Sequence, residues 1–304
     1  MITVLSGGVG AARLLRVLRQ HVDPTTLHAV VNVGDDLVLH GLTICPDLDT
    51  ITYTVTGRNN ESLGWGLAGE TWRVRDQLAA LGGEAWFSLG DLDLATHLYR
   101  SQRLAQGATK TQVTAELGEK LGLDITLLPV TDDPVATMFE TEIGPLTFQE
   151  YFVKHHHGVR VDTLRFDGAE RATLAPAVVS SLRASDRIII APSNPLISIG
   201  PMLAVPGLRT LLTTRRDVVT AVSPIINGAA LKGPADRLLA EQGYPVSCVG
   251  VAQYYQGLIG TLVIDEADAH LADEVEATGC AVRVAPTIMG TPDRDLALAK
   301  AVLA

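Results

Sequence analysis

Four aspartates fall within fifteen residues, Asp35 and Asp36 in Asn32-Val33-Gly34-Asp35-Asp36 and Asp47 and Asp49 in Cys45-Pro46-Asp47-Leu48-Asp49-Thr50. Carboxylates at this density are the hard oxygen ligands that a divalent cation takes. The same residues also have plainer uses. Gly-Asp is common in turns, and Asp47 and Asp49 precede a predicted helix that one could cap while the other points outward. Upstream stands Ser6-Gly7-Gly8-Val9-Gly10-Ala11-Ala12, between an apolar run and a helical one. Glycine lets a backbone approach an anion closely, and a helix N-terminus supplies free N–H groups and a positive dipole end, so Gly7, Gly8 and Gly10 form a candidate phosphate seat. It is not a P-loop, because no Gly-Lys-Ser/Thr follows, and Arg13 stands where a dinucleotide fingerprint has its third glycine.

Two further stretches carry reactive side chains. Gly90-Asp91-Leu92-Asp93-Leu94-Ala95-Thr96-His97 runs into a helix bearing His97, Arg100 and Arg103. In Pro192-Ser193-Asn194-Pro195, two prolines stiffen a turn whose hydroxyl and amide can hydrogen-bond a ligand. His155-His156-His157 is a poor metal site, since adjacent side chains diverge on a regular backbone, and it reads as a solvated basic face.

The elements that must position these residues follow a repeating order of buried strand, polar turn and helix. Strands are predicted at 2–5, 28–33, 85–89, 124–129, 187–191, 218–222, 246–252, 261–264 and 281–284. Helices are predicted at 13–18, 72–81, 109–121, 268–278 and 292–302, and a hairpin turns at Ile143-Gly144. A helix is expected to start within 148–154. This is the pattern of an α/β fold, a Rossmann-like, doubly wound and mostly parallel sheet. Ligands of such sheets bind at the carboxyl ends of the strands, where the Gly-Asp-Asp and Ser-Asn turns would lie. Residues about 135–185 break the pattern and read as a small helical insertion or cover. With no repeat and no low-complexity linker, 1–304 is expected to be a single domain.

At 304 residues, 47% hydrophobic and 19% charged, the chain has the makings of a folded enzyme rather than a disordered segment. Its net charge of −10 argues against nucleic-acid and anionic-membrane partners, and does not oppose a small phosphorylated ligand. Cys45, Cys248 and Cys280 are odd in number and far apart, with neither metal spacing nor a disulfide framework, so a reducing cytoplasm is expected. The N-terminal apolar run is too short to span a membrane and lacks the marks of a signal peptide.

Read together, Leu5 to Arg13, Asn32 to Asp36, Cys45 to Thr50, Gly90 to His97 and Pro192 to Pro195 form an ordered set. In that set the chain resembles the 2-phospho-L-lactate transferase family of coenzyme F420 biosynthesis, whose bacterial branch includes the phosphoenolpyruvate transferases. The resemblance implies a magnesium-dependent cytoplasmic enzyme, expected as a homodimer. Its donor would be guanosine diphosphate-linked lactate or enolpyruvate and its acceptor the deazaflavin alcohol Fo, giving F420-0 or its dehydro form and GMP. Carried over by motif, Asp35 and Asp49 are the expected catalytic and metal-binding residues. Gly7, Gly8, Gly10, Asn32, Asp36, Asp47, Thr50, Asp91, His97, Arg100, Ser193 and Asn194 are expected at the substrates, the last two on the guanosine diphosphate side. Leu92 departs from the pattern, since relatives often carry a basic residue there. An alternative is the related group of nucleotide-sugar-binding regulators, against which the Pro-Asp-Leu-Asp-Thr and Asp-Leu-Ala-Thr-His stretches favour the transferase. An NAD-dependent oxidoreductase is opposed by Arg13 and by the lack of an acidic residue after the second strand that is separate from the aspartate cluster.

Overall fold

Seven short apolar runs pair side by side, all parallel, in a computed structural model that describes residues 1–304. In chain order they are β1 (Ile2–Ser6), β2 (Leu27–Val31), β3 (Thr126–Pro129), β4 (Arg187–Ile190), β5 (Val219–Val222), β6 (Thr261–Ile264) and β7 (Ala281–Val284). Across the sheet the order is β3-β2-β1-β4-β5-β6-β7. β1 is therefore flanked by β2 and β4, with Ile2 opposite both Leu27 and Arg187. The winding direction reverses between β1 and β4, and a crevice opens at such a switch point.

Side chains alternate across each strand. Leu5, Val30, Ile188, Ile190 and Leu262 enter the larger core, whereas Val4, Ala29, Val31, Ile189 and Val263 enter the one on the other face. Both faces are covered, which is why these strands are apolar throughout. Helices α1 (Gly8–Leu18) and α2 (Pro46–Val55) pack on one another over the second face. α3 (Arg73–Ala80), α4 (Asp91–Ala105) and α5 (Lys110–Leu121) come before β3, and α6 (Pro176–Ala184) comes before β4. Thr109 and Gln112 form a reciprocal capping box that starts α5. No single helix is long and apolar enough to cross a membrane.

Three expectations change. The strand predicted at 85–89 is irregular backbone, and its apolar character serves a cavity wall through Phe87. The strand predicted at 246–252 is the helix Cys248–Tyr254, started by the Ser247 hydroxyl accepting from the Val249 N–H. A short apolar run is ambiguous between buried strand and buried helix, and here the cap decides. The middle of the chain, expected as a small helical insertion, is mainly a three-stranded antiparallel sheet of Ala136–Thr141, Gly144–Thr147 and Val161–Asp167. Its hairpin turns over Glu142-Ile143, one residue before the expected Ile143-Gly144, and Gly144, paired with Thr141, takes a positive φ of 107°. One π-helical turn, Glu150–Lys154, follows the hairpin. α6 then covers the main sheet, its Ser181 hydroxyl 2.6 Å from the Thr3 hydroxyl and 2.9 Å from His28 Nδ1.

Candidate active site

A cavity of about 560 Å³ opens at the carboxyl ends of the strands around the β1/β4 reversal. Gly7, Gly8 and Gly10 from the turn after β1 and Ser193 and Asn194 from the turn after β4 line its floor. The two turns are tied together: the Ser193 hydroxyl donates to the Gly7 carbonyl at 2.7 Å and accepts from the Gly7 N–H at 3.2 Å. Gly10 is required by contact, since a Cβ there would lie 2.3 Å from the Pro192 carbonyl oxygen. Asn194 caps the π-helical turn Pro195–Ile199, its Oδ1 accepting from the Leu196 and Ile197 N–H groups. Its Nδ2 is buried with no protein acceptor.

Asp47 and Asp49 lie inside the first turn of α2 rather than before it, and neither caps that helix. Two residues apart on an α-helix, their side chains leave the axis about 200° apart. They therefore join different groups. Asp47 reaches back to α1, its Oδ1 accepting from the Gly8 N–H at 2.6 Å and its Oδ2 from Asn32 Nδ2 at 3.0 Å. The same Asn32 amide lies 3.4 Å from Asp35 Oδ1, so one donor serves two buried carboxylates. Burial pushes Asp47 up to about 6, against the pull of its bonds to Asn32 and Gly8. Burial, together with repulsion from Asp47 and Asp36, holds Asp35 well above the usual carboxylate range. Asp36 is paired with Lys110, whose Nζ lies 2.5 Å from its Oδ2.

Asp49 turns the other way, to α4. The Arg100 guanidinium grips both of its oxygens, Nη1 donating to Oδ2 at 3.0 Å and Nη2 to Oδ1. Arg100 Nη1 also lies 3.1 Å from His97 Nδ1, and His97 Nε2 lies 3.2 Å from Asp93 Oδ2. Tyr53, from α2, donates its hydroxyl to Asp93 Oδ1 at 2.7 Å. Asp93, His97 and Arg100 stand at spacings of four and three on α4, which places them on one face. Burial raises Asp49 while Arg100 and His97 draw it back; for Asp93, His97 and the bond from Tyr53 outweigh burial and lower it.

Of the residues singled out from the sequence, Gly7, Gly8, Gly10, Asp35, Asp47, Asp49, Thr50, His97, Ser193 and Asn194 line the cavity. Asn32 and Arg100 are buried behind that wall and act on the lining carboxylates; Asp36 is held beside them by Lys110. Asp91 is elsewhere: its carboxylate accepts from the Thr71 N–H and hydroxyl, pinning the loop before α3. Leu92 points to solvent, 48% exposed, and does not reach the cavity. Sequence reasoning missed Tyr53, Trp65, Phe148, Phe152 and Lys232 in the lining, and gave Asp93 no site role. Asp93 carried a usable signal, four residues before His97. Phe148 and Phe152 carried none, because the small antiparallel sheet brings them to the wall. His156 also reaches the rim but stays exposed, and the other two histidines of that run do not line the cavity.

Strand order, glycine turn and crevice together define a Rossmann-like α/β protein with its cavity at the topological switch point. The chain belongs to the 2-phospho-L-lactate transferase CofD family, whose model matches residues 2–288. It is 41% identical to a phosphoenolpyruvate transferase of Streptomyces griseus, over 99% of this chain and 97% of that protein. It is 38% identical to a 2-phospho-L-lactate transferase of Methanosarcina acetivorans, again over 99% of this chain and 97% of the relative. Family and relatives mark it as a transferase. A solved UPF0052-family protein of Bacillus halodurans superposes with a TM-score of 0.66 at 16% identity, covering 100% of this chain and 98% of that one, which speaks for the fold alone.

Proposed function

We propose that this chain transfers a phospho-three-carbon-acid group, 2-phospho-L-lactate or phosphoenolpyruvate, from a guanosine diphosphate-linked donor to the terminal hydroxyl of the deazaflavin Fo in coenzyme F420 biosynthesis. A bond forms between the hydroxyl oxygen and the phosphorus bearing the acid. The bond from that phosphorus to the guanosine phosphate breaks, and GMP leaves. Such a reaction asks the protein for positioning and charge neutralisation more than for covalent help. The observation that carries the reading is Asp47 bonded to the N–H that opens α1, which sets an anion at the phosphate seat. A diphosphate could lie there only once that charge is offset.

Asp35 and Asp47 fit a divalent cation: two buried carboxylates held only by neutral donors, the Asn32 amide they share and the Gly8 N–H on Asp47, with no cationic partner of their own. Asp49, expected from the sequence to be a ligand, has both oxygens engaged by Arg100, and in this reading Asp47 takes its place. Bound there, magnesium would neutralise phosphate charge and polarise the phosphoryl group. Asp49 instead accepts the hydrogen bond of the acceptor hydroxyl and takes its proton as the new bond forms. The N–H groups of the first turn of α1 beyond Gly8 and the unpartnered amide of Asn194 hold the diphosphate. The test is incubation of the protein with Fo, magnesium and each donor in turn, read by product mass. A deazaflavin heavier by the phospho-acid group is expected, and the absence of one with either donor would refute the reading.

A further inference from the structure

Asp49, Asp93 and His97 bring a nitrogen and carboxylate oxygens within 4.8 Å of one another, which by distance alone could hold a metal ion. Their hydrogen bonding says otherwise. A guanidinium has N–H donors and no acceptor, so the His97 Nδ1 facing Arg100 Nη1 at 3.1 Å has to present its lone pair. The proton of the ring then lies on Nε2, which is 3.2 Å from Asp93 Oδ2 but makes no hydrogen bond to it. Asp93's other oxygen receives the Tyr53 hydroxyl. An ion among these groups would need the lone pairs that Arg100 already takes and would sit against its fixed positive charge.

Resting on the transferase reading of the cavity, we propose that His97 and Arg100 are positioning residues: the bonds from Arg100 to the His97 ring and to both oxygens of Asp49 aim Asp49 at the acceptor hydroxyl, with Arg100 as a built-in cation. The Arg100 contact sets the tautomer of His97, and the ring in turn holds Nη1 of Arg100, with Asp93, fixed by the Tyr53 hydroxyl, beside the ring's other nitrogen. The guanidinium fork then presents Asp49 to the cavity with one orientation. Lysine in place of Arg100 would keep the charge and lose the fork.

Two measurements test the proposal. In the wild-type protein with ¹⁵N-labelled histidine rings, the His97 signal, assigned through bonds from its own Cα, should show a protonated Nε2 and a bare Nδ1. A protonated Nδ1 would overturn the proposal. In the transfer assay, Arg100→Lys should lower kcat by about 10-fold to 100-fold, the usual cost of losing an orienting partner. KM for the donor and the concentration of magnesium giving half-maximal rate should stay within about twofold. Unchanged kcat, or a rise in the magnesium requirement with kcat kept, would refute it, the latter by making the cluster a metal site. If the wild-type chain forms no product, the transferase reading has failed, and the ring-nitrogen spectrum still judges the Arg100–His97 bond.

Discussion

Two pairs of carboxylates face the same cavity, and the protein treats them in opposite ways. Asp49 is compensated from within by Arg100, and Asp93, which accepts from Tyr53, stands beside His97 on the same face of α4. Asp35 and Asp47, buried like Asp49, have only neutral donors, the amide they share and the Gly8 N–H on Asp47. The contrast originates on α2, where two positions of separation send Asp47 and Asp49 to opposite sides of the helix. A carboxylate gripped by a built-in cation keeps its geometry whether or not a ligand is present. An unbalanced pair stores a demand for positive charge, which only a proton or a cation can meet.

The sharpest way to break this comparison is to remove the built-in cation. Arg100→Ala leaves Asp49 buried and unpaired, and should cost about 3–5 kcal/mol of folding stability by denaturant titration. A loss under about 1 kcal/mol would show that Asp49 needs no partner and that the two pairs are alike. Next in size, Asp35→Asn and Asp47→Asn should each reduce turnover by on the order of 10²-fold and blunt the magnesium response. Asp49→Asn should lose comparable turnover with the magnesium requirement intact. Equal shifts in that requirement for Asp47→Asn and Asp49→Asn would erase the distinction.

The unbalanced pair also sets a pH dependence. The folded-state value for Asp47, about 6, lies above its ordinary 3.8. The neutral form is thus favoured by folding, and this contribution is fully present below about pH 4 and lost as pH rises through about 6. Metal-free protein should become less stable over that interval, by on the order of 2–3 kcal/mol for this group. Asp47→Asn should flatten the curve, and a wild-type melting temperature that instead climbs between pH 4 and pH 7 would contradict it. The smallest effect concerns the neighbouring turn. Asn194→Asp keeps the oxygen that caps Pro195–Ile199 and removes the unpartnered amide donor. Melting should change little, while guanosine diphosphate binding measured by calorimetry weakens by about 1–3 kcal/mol. A lowered melting temperature with unchanged affinity would reduce Asn194 to a cap.

Much of the architecture was legible in the chain. The runs at β1, β2, β4, β5 and β6 are apolar because both faces of a parallel sheet are covered, and their turns ended where the ligand crevice lies. Local pattern misled at 85–89 and 246–252, where an apolar run meant a cavity wall and a capped helix. The insertion was visible as a break in the pattern, and its antiparallel build was not, because pairing Ala136–Thr141 with Val161–Asp167 is a contact across nineteen intervening residues or more.

At the site, residue types and helical spacing already determined that carboxylates, a glycine turn and a Ser-Asn turn would gather at one sheet edge, and that Asp93, His97 and Arg100 would share a helix face. Only the tertiary structure decided the pairing. Which aspartate meets Arg100, which meets the Gly8 N–H and which is left to share an amide depends on how α1, α2 and α4 lie against one another. Charge compensation acts over a few ångströms between elements distant in sequence, and no local pattern carries that distance.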